Sequence, residues 1–218
     1  MNSAKHRHAT TYASALFTPD EQIRISDAIT RAEQSTCGEI VAVVASESAS
    51  YRYVPLLWAS LLALLVPWPL IYLTWMPVQT IFLAQLAAFL TLLIALMPPA
   101  VRMALVPRSV KHAHAHRRAV EQFLVQNLHT TEGRTGVLVY VSVAEHYAGI
   151  LADTGIAAKV PQAMWQDIVD RLTACIGDGK PADGFVTAVT DIGALLAQHF
   201  PPGSANANEL PNKLIMLD

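Results

Sequence analysis

The pattern of apolar and polar positions divides this chain into three parts. Between Tyr53 and Val101 there is no Asp, Glu, Lys, Arg or His across 49 residues, while charged residues are scattered on both sides. A helix crossing a hydrocarbon core of about 30 Å needs roughly 20 apolar residues, so this run accommodates two spans and a tight turn. The spans are placed at Tyr53–Trp75 and Thr80–Pro98, with the turn at residues 76–79, because Pro77 is poorly tolerated inside a helix. Trp58, Trp68, Tyr72 and Trp75 are amphipathic rings suited to the headgroup layer. A soluble core of this size has little use for two long helices apolar on every face.

On either side the periodicity changes. Thr18, Pro19 and Glu21 form a capping-box signature, and Ile25, Ala28, Ile29 and Ala32 follow at helical spacing. Near Thr36 and Gly38 the helix stops, and residues 39–45 (EIVAVVA) read as a strand covered on both faces. Beyond the apolar run, residues 109–130 predict a helix with Ala119, Val120, Phe123, Leu124 and Leu128 inward, followed by a second buried strand at 137–143. A turn at Ala144–His146 leads to a third strand, 147–153, expected to pair antiparallel with the second. Helices are expected at 161–176, with Trp165, Ile168, Val169 and Leu172 inward, and at 183–200, with Val186, Val189, Gly193 and Leu196 inward.

These elements assemble into a small layered α/β/α domain with a mixed sheet, interrupted by a two-helix transmembrane hairpin. The first strand, the helix after the hairpin and the second strand make a βαβ unit, and the hairpin is inserted into its crossover. Two spans return the chain to the side from which it left, so the halves can meet; an odd number would separate them. The expected organisation is a flexible N-terminus (1–16), the first part of the domain (17–52), the hairpin (53–98), the second part (102–200) and a C-terminal tail (201–218).

Charge then orients the hairpin. Arg52 precedes it, Arg102, Arg108, Lys111, Arg117 and Arg118 follow it, and its turn is neutral. By the positive-inside rule both termini face the cytoplasm of a bacterial inner membrane, with the bilayer as a partner through residues 53–98. The polar start MNSAKHRHATTY has no apolar signal-peptide core, which leaves insertion to the hairpin. A net charge of −2 and pI near 6.4 argue against a nucleic-acid partner. Cys37 and Cys175 belong to no metal-type spacing and are expected as free thiols.

The stretches CGEIVAVVAS (37–46), RTGVLVYVSVAEHYAGILADTGI (134–156) and ADGFVTAVTDIGALLAQHFP (182–201) resemble the TPM domain, in its cytoplasmic bacterial branch with a hairpin inside the domain. The resemblance covers nearly all of residues 17–201 and rests on strand and helix signatures. For family members it implies roles ranging from divalent-cation-dependent acid phosphatase to membrane-complex maintenance.

Two clusters carry candidate chemistry. Asp153 precedes Thr154-Gly155, resembling the family's acidic-plus-glycine turn, and with Glu145 or Asp183 it is a candidate ligand set for Ca²⁺ or Mg²⁺, which would polarise a phosphate. The competing reading makes Asp153 and Asp183 turn and helix caps, and Glu39 an exposed strand end. In KHAHAHRR (111–118), His112 and His116 share a helical face and His114 does not; a solvated basic face near anionic headgroups and a two-ligand zinc arrangement both fit. No nucleophile elbow, phosphate-binding glycine loop, HExxH or DxDxT motif occurs. The expected function is a membrane-anchored domain with a binding, assembly or maintenance role and an unidentified protein partner; the alternative is a cation-dependent phosphatase-like hydrolase.

Overall fold

The computed structural model of the protein describes residues 13–202 and 209–218. These fall into two compact units, one within residues 49–111 and one built from 13–48 and the described part of 112–218. In chain order the elements are α1 (Pro19–Glu33), β1 (Glu39–Ala45), α2 (Tyr53–Leu65), α3 (Pro67–Leu73), α4 (Val78–Leu96), α5 (Pro99–Ala104), α6 (Arg108–Val125), β2 (Gly136–Ser142), β3 (Tyr147–Ala152), α7 (Thr154–Ala157), α8 (Gln162–Gly177), α9 (Pro181–His199) and β4 (Leu214–Leu217).

In the α/β unit the sheet order is β3-β2-β1-β4. β1 pairs parallel with β2 along its whole length, Glu39 opposite Gly136 and Ala45 opposite Ser142, as the βαβ reading requires. β2 and β3 pair antiparallel, also as expected. Every residue of β1 and β2 is buried, because both faces of the sheet are covered. Ile40, Ala42, Val44, Val137, Val139 and Val141 face α1, α8 and α9, with Phe17 set edge-on to Phe185 in that core. On the other face Val41, Val43, Leu138 and Tyr140 meet Ala119 of α6 and Leu128 just beyond it.

α1 begins as its sequence dictates. The Thr18 hydroxyl accepts the Glu21 N–H at 3.3 Å, and the Glu21 carboxylate accepts the Thr18 N–H at 2.8 Å, so two otherwise unpaired donors are satisfied. α1 packs against α9 at Gly193, where an added Cβ would lie 2.6 Å from the Ala32 Cβ; the helices could not approach so closely with any larger residue there.

Several expectations change. α6 buries Ala115, Ala119 and Gln122, whereas Val120 and Leu124 are 41% and 51% exposed. The stripe is rotated from the one expected because small alanines, not the larger aliphatics, allow the helix to lie against the sheet. Val169 and Val186 are half-buried at the margins of their helices. Residues 13–16 are folded: Ala13 is buried and its N–H bonds the Ser46 hydroxyl at 2.6 Å; the expectation for residues 1–12 lies outside the described residues. The chain end supplies a fourth strand, Ala42 pairing with Leu214 and Ala45 with Leu217, where linker composition had suggested a tail.

The hairpin unit contains two stretches long and apolar enough to cross a membrane, Tyr53–Leu73 and Val78–Leu96. The first is broken at Val66, with Pro67 starting α3, since proline cannot donate the hydrogen bond that would continue α2. α2 and α4 pack on each other, with Ala59, Ala63 and Ile81 buried. Their remaining surface is apolar, with Leu65 61% and Phe82 66% exposed.

Candidate functional site

The three carboxylates expected to share a cation are not brought together. Glu145 lies in the β2–β3 turn and Asp153 at the far end of β3, six strand residues away, a separation of about 20 Å. Asp183, in the first turn of α9, is half-exposed and ion-paired with Arg24 at 2.7 Å. Among the described residues no group of three or more His, Cys, Asp or Glu side chains is arranged to hold a metal ion.

Each acid has a local task. Asp153 caps α7, its Oδ1 accepting the Thr154 N–H at 2.6 Å, while its buried Oδ2 has no hydrogen bond. Gly155 follows because the Gly133 and Arg134 carbonyl oxygens lie 2.4 and 2.6 Å from where a Cβ would stand. The acidic-plus-glycine turn is thus a cap and a close backbone crossing. Glu145 is buried at 2% exposure and closes a polar network at the carboxyl ends of β1 and β2. It accepts the Ser48 N–H at 2.9 Å and the Ser142 hydroxyl, and Ser48 Oγ bonds Ser142 Oγ at 2.7 Å and Tyr140 Oη at 2.9 Å. Burial raises the Tyr140 phenol above its ordinary value, against the Ser48 bond, which lowers it. Ser48, Tyr140 and Ser142 were not singled out in the sequence; the alternation of Tyr140 and Ser142 on one face of β2 was the available signal.

Glu39 is not an exposed strand end. It is 5% exposed, and its carboxylate accepts the Glu209 N–H at 3.2 Å, fastening the segment that leads into β4. Burial raises its pKa, opposed by the Glu209 and Leu210 N–H bonds. Glu33 accepts the Ile40 N–H at 2.8 Å, and its carboxyl is pushed up to about 8 by burial first, with the Glu39 charge adding to the effect. Neither could be identified from sequence, because the residues that bond them from the far end of the chain, Glu209 and Leu210 at Glu39 and Asn212 at Glu33, precede β4.

A cleft of about 680 Å³ runs along the outer edge of β3, between His112 and His116 of α6 on one side and one face of α8 on the other. As expected, His112 and His116 share a face. The His112 ring meets Tyr147 edge-on with centroids 5.6 Å apart, and His116 Nδ1 lies 3.3 Å from Tyr147 Oη. Trp165, Val169 and Asp170 line the opposite wall, and His146, held at φ 50°, stands at one end.

Residues 99–195, from α5 into α9, match the family model described as the TPM domain. The match is confined to that part of the chain. The NMR structure of the BA42 protein from the psychrophilic bacterium Bizionia argentinensis aligns with a TM-score of 0.58 at 20% identity, over 91% of this chain and 94% of that one, a likeness of fold. No curated protein matches. The matched residues include β2, β3, the β3-edge cleft and the Tyr140–Ser142–Glu145 portion of the polar network.

Proposed function

We propose that this TPM-domain chain is a membrane-anchored binding module, with both termini cytoplasmic and the hairpin serving as its anchor. The observation that carries the reading is the outward surface of α2, α3 and α4, where Leu56, Leu61, Trp68, Phe82, Leu86 and Ile94 are exposed to the surroundings without a charged residue among them. Each exposed leucine or phenylalanine would gain about 1.5–3 kcal/mol on removal from water, a total that solvation of so large a patch opposes and a bilayer satisfies. A binding role is favoured over hydrolysis by the disposition of the acids. Glu145 is committed to two hydroxyl and amide donors, Asp183 to Arg24, and Asp153 to a helix cap.

The test is extraction of membranes from cells producing the full chain. Retention in the pellet at alkaline pH, with release only by detergent, is the expected outcome. Release of the chain into the alkaline supernatant contradicts the anchor.

A further inference from the structure

We propose that His112 and His116 of α6 form a two-imidazole site for a zinc-class divalent ion on the wall of the β3-edge cleft, with water in the remaining coordination positions. This goes beyond the binding-module reading and does not rest on it.

Spacing brings the two rings together. Residues four apart on a helix share a face with Cβ atoms about 5–6 Å apart, so two imidazoles reach one ion at Zn–N distances of about 2.0–2.1 Å by side-chain rotation alone. HExxH helices hold zinc with the same histidine spacing; in His112-Ala113-His114-Ala115-His116 the glutamate is absent. His112 and His116 are both solvent-exposed and both line the cleft, whereas His114 does not line it.

Tyr147 positions both rings. The His112 ring lies edge-on to it with centroids 5.6 Å apart, and among the described residues neither nitrogen of His112 makes a hydrogen bond. His116 Nδ1 lies 3.3 Å from Tyr147 Oη. With Nδ1–H donating to that oxygen, Nε2 carries the free lone pair, which is how an outer partner fixes the tautomer of a metal-ligating histidine.

The charges that line the cleft favour a cation. Apart from the imidazoles, its one charged lining side chain is the acid Asp170, on the facing wall. The basic residues of α6 do not line it: Lys111 and Arg117 lie about 100° round the helix from the adjoining histidines, and Arg118 is paired with Glu121 at 2.9 Å. Imidazole nitrogen suits zinc, copper and nickel, whereas Ca²⁺ and Mg²⁺ take oxygen ligands. Two protein ligands are fewer than the three or four of catalytic and structural zinc centres, and among the described residues no third His, Cys, Asp or Glu joins the pair, so the ion is exchangeable.

The test titrates Zn²⁺ calorimetrically into the untagged full chain in detergent micelles at about pH 7.5, where free imidazole is mostly neutral. Saturable one-to-one binding is expected, with none for Mg²⁺. His112→Asn and His116→Asn should each weaken it at least about tenfold, while His114→Asn leaves it within about twofold. The parent loaded with Cu²⁺ should show electron-spin-resonance hyperfine structure from two imidazole nitrogens, a readout that needs no variant. Absence of saturable Zn²⁺ binding up to about 1 mM, equal weakening by His114→Asn, or undiminished binding after either His112→Asn or His116→Asn overturns the proposal. A parent spectrum with one imidazole nitrogen or none overturns it too. Neither failure alters membrane retention, so the anchor and the metal site stand or fall separately.

Discussion

Glu33 shows how a single residue ties the stability of the α/β unit to pH. Its carboxyl is buried beside the start of β1, and its pKa is raised from the ordinary carboxylate range to about 8. A group whose folded-state pKa is raised contributes stability that is fully present below its unfolded pKa of about 4.3 and is lost as pH rises through the folded value. From this group alone, stability should fall between about pH 5 and 8 by up to about 1.4 kcal/mol per pH unit. Glu33→Gln keeps an oxygen for the Ile40 N–H and removes the titration. Melting temperatures at both ends of that range should therefore show a smaller decline in the variant, and a gain over the parent at pH 8. An unchanged pH profile would mean that Glu33 does not titrate in this window. Glu33 and Glu39 were illegible in the sequence because the segment leading into β4 reaches them from the far end of the chain, Glu209 bonding Glu39 across 170 residues, a contact no local pattern encodes. The reverse happened at Asp153, where a local pattern was visible but its spacing described a cap.

At the scale of elements, legibility followed the strength of local signals. The capping box at Thr18 and Glu21, the all-apolar strands β1 and β2 and the hairpin β2–β3 were each specified by neighbouring residues and formed as expected. β4 was missed because it has four residues and follows a linker-like stretch; its pairing with β1 supplies most of the reason for it to be a strand. The inward face of α6 was misassigned because a helix pressed closely to a sheet uses small residues at the contact, which a search for large aliphatics overlooks. The Thr18 cap offers a quantitative check. Thr18→Ala removes the acceptor for the Glu21 N–H and is expected to cost about 1 kcal/mol. Chemical denaturation of the detergent-solubilised chain should register it as a lower midpoint with unchanged slope.

At the scale of the whole molecule, the governing feature is that strands 39–45 and 136–142 are direct parallel partners although the hairpin lies between them in sequence. The charge-free run made the hairpin readable, and the matching buried character of the two strands made their partnership readable. The chemistry of the site was less accessible, because the groove along β3 is assembled from α6, β3 and α8 and no short motif spans all three. On this topology the hairpin is an insertion into one cooperatively folding α/β domain. Its most direct test replaces residues 49–111 with a flexible linker and measures unfolding of the resulting chain by circular dichroism and by tryptophan fluorescence, Trp165 being the tryptophan that remains. A soluble protein with a single transition that coincides in the two signals is expected. Separate transitions, or a variant that is soluble but has no cooperative unfolding, would contradict it.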